Sequence, residues 1–203
     1  LPLSFISKIW VAAGTYYPDE GLNASNDDRN SSFAIPKGVK VYGGFNGTET
    51  DTIQRVNYGV GEDNETSLSG DNDQNDTSES IEGSNARIVV TFSDASDETV
   101  LDGFTITAGT KNGIVNRNGS PQITNCTIIN IHVGLPFLGS DNAGEGGGIY
   151  NYAASNRTAS PTLTNCTISG NSTSSVGGGM YNYNYRGRGS FSSTITNCIL
   201  WGN

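Results

Sequence analysis

Apolar and polar residues alternate along the second half of the chain in short runs that predict β-strands. In one run Leu163, Cys166 and Ile168 are apolar and the residues between them are polar. An alternation with a period of two places one face of a strand in a core and the other face in solvent. No run is long enough to bury both of its faces alone, so each run must pack against copies of itself.

The same run occurs three times, and its cysteines are 40 and 32 residues apart. The copies read SPQITNCTIIN (120–130), SPTLTNCTISGN (160–171) and STITNCILWGN (193–203), and the Gly-led strands before them read NGIVN (112–116), GGGIYN (146–151) and GGGMYN (177–182). Fainter copies and first strands lie upstream at 8–13, 38–49, 86–92 and 99–109, where Phe104 takes the cysteine position. Repeats of this kind predict a solenoid of parallel strands, with loops of variable length at one corner of each coil.

An asparagine precedes the cysteine in every copy. The pairs are Asn125–Cys126, Asn165–Cys166 and Asn197–Cys198. Asparagine tolerates the left-handed conformation of a sharp bend and can hydrogen-bond its copy one coil away. We expect an inward ladder of asparagines that cannot be glycosylated, and a column of cysteines that pack as small apolar residues. A metal site or a redox pair is the alternative, but one cysteine per repeat favours the column.

Composition and charge narrow the choice of function. Gly, Asn, Ser and Thr make up 93 of the 203 residues, but Ile and Val outnumber Leu by 27 to 9, which favours strands over disorder. The net charge of −9 argues against nucleic acid as a partner. No apolar run approaches the length of a membrane span.

The order of these motifs resembles the right-handed parallel β-helix repeat proteins, which are pectin-lyase-like chains of bacterial surfaces. The resemblance covers about residues 8–203 and includes IWVAAGTYYP, SFAIPKGVKVYGGFNGTET, the Leu-Ser-Gly-Asp segment (68–71) and TVLDGFTITAG. It implies an all-β, right-handed parallel β-helix of about five to seven coils and an extracellular or cell-surface location. We expect one domain over 1–203. Its parts are an extension, cap or donor strand at 1–7, degenerate acidic coils with long loops at 8–110, and regular coils at 111–203.

Catalytic residues are not expected. A polysaccharide lyase of this fold needs carboxylates around Ca²⁺ and a basic residue opposite, and a hydrolase needs clustered Asp residues, usually with a His. After Asp102 the chain has only Asp141 and Glu145 as acids, and the sole histidine, His132, has no acidic neighbour in the sequence. His132 is therefore interpreted as a surface loop residue.

The segment 62–82 has eight acidic residues and no Lys or Arg. Its oxygen-bearing side chains match positions 1, 3, 5, 9 and 12 of a calcium loop: Asp71, Asp73, Asn75, Glu79 and Glu82. Against Ca²⁺, Asp76 stands where glycine is wanted and Ser78 where an apolar residue is usual. A solvated acidic loop is the alternative, and no other cofactor is expected.

Acceptor motifs for N-glycosylation are frequent, with 10 in the chain. Two of them belong to the asparagine ladder, and we expect the others to lie in accessible loops and turns, where a glycan can be attached. These eight are Asn23, Asn30, Asn46, Asn64, Asn75, Asn118, Asn156 and Asn171.

An aromatic run and the two ends of the solenoid are the candidate contact surfaces. Tyr181, Tyr183 and Tyr185 alternate with polar residues and can stack on sugar rings, on a neighbouring subunit or on one another. The last repeat carries Trp201 and no polar cap, so its open strands can recruit another chain. Residues 1–100 have a net charge of −11 and residues 101–203 of +2, which favours head-to-tail stacking.

The sequence therefore favours a secreted, non-catalytic structural subunit that self-associates end to end into an N-glycosylated filament or surface layer. The alternative is a carbohydrate-binding or adhesive cell-surface module of a longer protein. A polysaccharide lyase or hydrolase is the third and weakest interpretation.

Overall fold

The chain forms a right-handed parallel β-helix, and the predicted fold class is confirmed. The structure, a computed structural model, describes residues 7–22, 24–77, 80–132 and 145–203. Apart from Ser7, the predicted extension at 1–7 lies outside these residues. The strands in chain order are β1 (Lys8–Ala12), β2 (Gly14–Tyr16), β3 (Phe33–Ile35), β4 (Lys40–Phe45), β5 (Thr66–Ser69), β6 (Ile88–Ser93), β7 (Val100–Asp102), β8 (Thr105–Thr107), β9 (Asn112–Arg117), β10 (Gln122–Thr124), β11 (Thr127–Ile129), β12 (Ile149–Ala153), β13 (Thr162–Thr164), β14 (Thr167–Ser169), β15 (Met180–Asn184), β16 (Thr194–Thr196) and β17 (Ile199–Trp201).

Three parallel sheets run along the solenoid. Sheet A contains β1, β4, β7, β10, β13 and β16; sheet B contains β2, β5, β8, β11, β14 and β17; sheet C contains β3, β6, β9, β12 and β15. A coil begins with its strand in sheet A, which gives six coils, and coil 6 has only β16 and β17. Equivalent strands pair in register, so that Leu101, Ile123 and Leu163 lie opposite one another. Residues at one position of the repeat therefore stack into columns.

The core is a thin cylinder of such columns. Ile123 and Leu163 from sheet A, and Ile128 and Ile168 from sheet B, are 0% exposed. Full burial of one such side chain contributes about 1.5–3 kcal/mol. Only the inward residue of each alternation has to be apolar, which explains how a chain so rich in Gly, Asn, Ser and Thr retains a continuous core.

Long loops leave the solenoid at all three corners, which corrects the expectation of a single loop corner. Residues 46–65 join sheet A to sheet B, residues 70–87 join sheet B to sheet C, and residues 185–193 join sheet C to sheet A. Every corner faces solvent, so an insertion at any corner leaves the strand register intact. Within the described residues, no helix is both long and apolar enough to cross a membrane.

Candidate functional site

The predicted asparagines occupy the corner between sheets A and B. Asn125, Asn165 and Asn197 have left-handed backbones, with φ of 51°, 55° and 52°. Asn165 Nδ2 donates to Asn125 Oδ1 at 3.2 Å, so the amides of coils 4 and 5 contact each other. The ladder is not inward, however, because Asn165 and Asn197 are exposed. The left-handed residue stays on the outer side of the bend, and the cysteine after it enters the core.

Two further asparagine columns, not predicted from the sequence, point inward. In sheet C, Asn116 donates to Asn151 Oδ1 at 3.1 Å, and Asn151 donates to Asn182 Oδ1 at 2.9 Å. At the corner after sheet B, Asn171 donates to Asn203 Oδ1 at 2.9 Å. The signal was present in the sequence, because each Gly-led strand carries an asparagine in the motifs GIVN, GGGIYN and GGGMYN.

Asn171 corrects one of the predicted glycosylation sites. It is 1% exposed, and its amide nitrogen also donates to the Ile128 carbonyl at 3.0 Å. A glycan on this nitrogen would have to break both hydrogen bonds and leave the core, so Asn171 is not an acceptor in the folded chain.

The other predicted acceptors differ in exposure. Asn64 and Asn118 are half-buried, and Asn23 lies outside the described residues. The exposed acceptors are Asn30, Asn46, Asn75 and Asn156. Glycans at these sites stay predictions.

The cysteines form a column inside the corner between sheets A and B. Cys126 and Cys166 are 1% exposed, and Cys198 is half-buried. The Cys166 amide N–H donates to Cys198 Sγ at 3.3 Å, and all three thiols are free. Burial raises the pKa of Cys126 well above its usual value and that of Cys166 to about 11. Protonated, buried thiols fit a core column better than a metal or redox site.

The loop 70–87 between β5 and β6 contains the predicted calcium ligands, and we call it the acidic loop. Its carboxylates accept hydrogen bonds from the loop's own backbone. Asp71 accepts the N–H groups of Asn75 at 3.1 Å and Asp76 at 3.2 Å. Asp73 accepts the Ser84 N–H at 2.9 Å. Glu79 lies outside the described residues, and elsewhere no three His, Cys, Asp or Glu side chains are grouped so that they could hold a metal ion. Calcium binding by Asp71, Asp73, Asn75, Glu79 and Glu82 stays a prediction.

A cleft of about 530 Å³ lies beside this loop on sheet B. Its lining comes from the ends of β5 and β8, from the acidic loop and from the turn after β11. The lining residues are Ser69, Asp71, Asp76, Thr77, Ser80, Ile81, Thr107, Ala108, Asn130 and His132.

His132 is exposed, in agreement with its interpretation as a surface residue, and it lines this cleft together with Asp71 and Asp76. His132 and Asp76 are far apart in the sequence, and only the coil register brings them to one cleft. His132 Nδ1 lies 3.0 Å from Ser172 Oγ. Burial raises the pKa of Asp76, and the charges of Asp71 and Asp73 add to the effect.

Five tyrosines cover the outer side of sheet C near its last strand, and we call them the tyrosine face. They are Tyr150, Tyr152, Tyr181, Tyr183 and Tyr185. The last three were predicted from the sequence, but Tyr150 and Tyr152, which the register places opposite Tyr181 and Tyr183, were not. The ring centroids of these two pairs are 6.0 and 5.9 Å apart.

Charged groups lie at the edges of the tyrosine face. The Arg117 guanidinium lies 5.7 Å from the ring centroid of Tyr152, and that of Arg186 lies 5.2 Å from Tyr185. Tyr150 is 6% exposed, and among the described residues its hydroxyl has no hydrogen-bond partner. Burial raises the pKa of Tyr150, and the neighbouring Glu145 carboxylate adds to the effect.

Coil 6 is uncovered along its apolar side chains. Ile199, Leu200 and Trp201 are 61%, 45% and 77% exposed. Ile168, which is opposite Leu200 in coil 5, is 0% exposed. Trp201 therefore lies in coil 6 and not in the tyrosine face.

No protein-family model, curated protein or solved structure matches the chain. The parallel β-helix fold follows from the sheets themselves. The cleft, the tyrosine face and coil 6 are the candidate binding surfaces.

Proposed function

We propose that the chain is a non-catalytic, carbohydrate-binding module of an extracellular, pectin-lyase-like β-helix protein. The observation that supports this function best is the tyrosine face. Its rings form two neighbouring stacks on the side of the solenoid, and Tyr152 also contacts Tyr185 at 6.1 Å between centroids.

Tyrosine suits sugar recognition because one side chain offers both an apolar ring and a hydroxyl group. The C–H groups of a sugar pack on the ring, and its hydroxyls bond to the phenol oxygens. Arg117 and Arg186 are exposed and place positive charge at the edges of the stacks. A polymer with sugar carboxylates is therefore the preferred ligand class.

The tyrosine face is favoured over the ends of the solenoid because of its position. Coil 6 can be covered by a further coil of the same polypeptide or by a second copy. The tyrosine face is lateral and stays accessible in both cases.

Calorimetric titration tests this proposal. It compares oligosaccharides of a uronic acid with neutral oligosaccharides of equal length. We expect the acidic series to bind more tightly, and Tyr183→Ala or Tyr185→Ala to weaken binding at least tenfold, or about 1.4 kcal/mol. Trp10→Ala on sheet A is the matched control, because Trp10 and Tyr185 are both 38% exposed. Equal binding by all three variants and the wild type would contradict the proposal.

The proposal also holds that the cleft with His132 performs no hydrolysis or elimination. Both of its carboxylates already bond to the acidic loop, which gives them a structural role. Incubation with acidic and neutral polysaccharides should release no reducing or unsaturated ends. Release that disappears in Asp76→Asn would establish an enzyme instead.

End-to-end self-association is the second candidate, favoured by the exposed apolar residues of coil 6. A second copy seated there would cover Trp201 and extend all open strands. Light scattering should show concentration-dependent growth that Trp201→Glu abolishes. Val176→Glu is the control, because Val176 is also exposed, at 45%, but lies in the loop before β15. A wild-type chain that stays monomeric at high concentration would exclude this candidate.

A further inference from the structure

We propose that the cleft on sheet B binds a small polyhydroxylated amine, such as an amino sugar, through its ammonium group. This site is separate from the tyrosine face, which lies on sheet C, so the two proposals stand or fall independently.

The size and construction of the cleft suit a small molecule. Its volume of about 530 Å³ lies within the range of about 300–1,000 Å³ that is usual for small-molecule pockets. Three separate parts of the chain converge there, represented by Thr107 on sheet B, Asp76 on the acidic loop and His132 after β11.

The charge of the cleft selects a cation. Asp71 and Asp76 line it, and none of the described lining residues is Lys or Arg. The two ion pairs found among the described residues are Arg55–Asp102 and Arg157–Asp94, and neither involves the cleft. An ammonium group would supply the missing countercharge, and a sugar carboxylate would be repelled.

The carboxylates are held in place before any ligand arrives. Each oxygen of Asp76 already accepts one hydrogen bond, from the Glu82 N–H at 2.7 Å and from Asn85 Nδ2 at 2.7 Å. Asp71 is held in the same way by two backbone N–H groups. A carboxylate oxygen accepts about two hydrogen bonds, so one position on each remains for the N–H donors of an ammonium group.

The rest of the lining fits the hydroxyl groups of the ligand. Ser69, Ser80 and Thr107 offer hydroxyls that donate or accept, and Asn130 offers an amide. A metal ion is a poorer occupant, because no group of three acidic, His or Cys side chains that could hold a metal was found in the described part of the chain. The cleft is also far larger than one ion requires.

The first part of the test compares glucosamine with glucose and N-acetylglucosamine, which share its sugar ring but have no ammonium group. Binding is followed by amide shifts in NMR titrations of the full chain at neutral pH. We expect glucosamine to shift residues around Thr107 and His132, and the two neutral sugars to bind at least tenfold more weakly. Equal binding of glucose and glucosamine would overturn the proposal, as would no binding of glucosamine.

Two pairs of variants locate the site. Asp76→Asn should weaken glucosamine binding at least tenfold, and Asp97→Asn, an exposed acid outside the cleft, should not. Because Asp76→Asn also removes hydrogen bonds from the loop, Thr107→Lys provides a second test that leaves both carboxylates in place. Its ammonium should occupy the cleft and abolish glucosamine binding, and Thr127→Lys on the neighbouring strand β11 is its control. Unchanged binding by Thr107→Lys would overturn the proposal.

A calcium titration completes the test. Titration with CaCl₂ alone should leave the cleft amides unshifted. Ca²⁺ that shifts them and displaces glucosamine would assign the site to a metal and overturn the proposal.

Discussion

Parallel strand pairing joins all neighbouring coils, but coil 2 also contacts coil 3 through a single arginine, whereas the later coils contact one another through columns of repeated side chains. In coil 2 the buried Arg55 side chain joins the loop 46–65 to coil 3. Its Nη2 lies 2.7 Å from Asp102 Oδ1, its Nη1 donates to the Gly43 carbonyl at 2.8 Å, and its guanidinium lies 4.9 Å from the Tyr58 ring centroid. The other ion pair found among the described residues, Arg157–Asp94, lies at the surface.

The later coils instead use columns in which one residue type contacts its own copies. Asparagines bond to asparagines, cysteines stack on cysteines, and tyrosine rings stack on tyrosine rings. A column extends by one member with each coil, and its members are equivalent in the sequence. Loops of variable length therefore need tailored contacts, whereas regular coils need only register.

Breaking the Arg55 contact should have the largest effect on stability. Arg55→Met would leave Asp102 with a charge in a nearly buried position, since its side chain is only 12% exposed. We expect a loss of about 3–5 kcal/mol in the free energy of unfolding, measured by urea denaturation.

The matched control is Arg157→Met. Arg157 also pairs with an aspartate, Asp94, at 3.5 Å, but both side chains are more than half exposed. An exposed pair contributes about 0–1 kcal/mol. Similar losses in the two variants would contradict the role assigned to Arg55.

These two kinds of contact explain what the sequence could and could not predict. The fold and the residues of the outer asparagine and cysteine columns were predictable, because a column repeats in the sequence. Arg55 and Asp102 occur once and are far apart, so no pattern joins them. The cleft was missed for the same reason, because only the stacking of the coils brings Asp76 and His132 into the lining of one cleft.

The inner asparagines were missed for a different reason. Asparagine is polar, and a simple alternation rule assigns polar residues to the solvent side. Ile149 points into the core, and Asn151 stands two residues later, so strand geometry places it on the same side. The polarity of an inward asparagine is satisfied by its copies above and below, which only the stacked structure shows.

The second prediction tests such an inner column. Asn151→Ala removes an acceptor for Asn116 and a donor to Asn182, and leaves the buried Asn116 amide with only its bond to the Gly119 carbonyl. We expect a loss of about 1–3 kcal/mol in the free energy of unfolding. Asn30→Ala is the control, because it removes only an exposed local hydrogen bond to Asp28. Equal stability of the two variants would show that the column is not needed.

The third prediction uses the cysteine column as a probe of burial. Thiolate, the reactive form, appears as pH rises through the pKa. With a pKa of about 11, only about one Cys166 side chain in a thousand is ionised at pH 8. We expect iodoacetamide to modify the half-buried Cys198 at least tenfold faster than Cys166 or Cys126, as measured by peptide mass spectrometry. Similar rates at all three sites would mean that the column opens readily.

The fourth prediction compares glycines from the two regions and has the smallest expected effect. Gly170, at a corner of coil 5, has a φ of +63°, and the nearest atom to a new Cβ would be Asn130 Oδ1 at 3.8 Å. Gly59, in the loop of coil 2, has a similarly open surrounding, with Glu62 Cγ at 3.8 Å, but its φ is outside the left-handed region. The space for a Cβ atom is therefore similar at the two glycines, and only the backbone conformation differs.

Gly170→Ala should lower the free energy of unfolding by about 1 kcal/mol, because a Cβ strains the left-handed conformation. Gly59→Ala should raise it by about 0.4–1 kcal/mol, because alanine reduces the entropy of the unfolded chain. Urea denaturation of both variants measures the two changes. Opposite signs would show that the regular corners are set by backbone conformation, and a shared sign would show that the corner of coil 5 tolerates alanine like an ordinary loop.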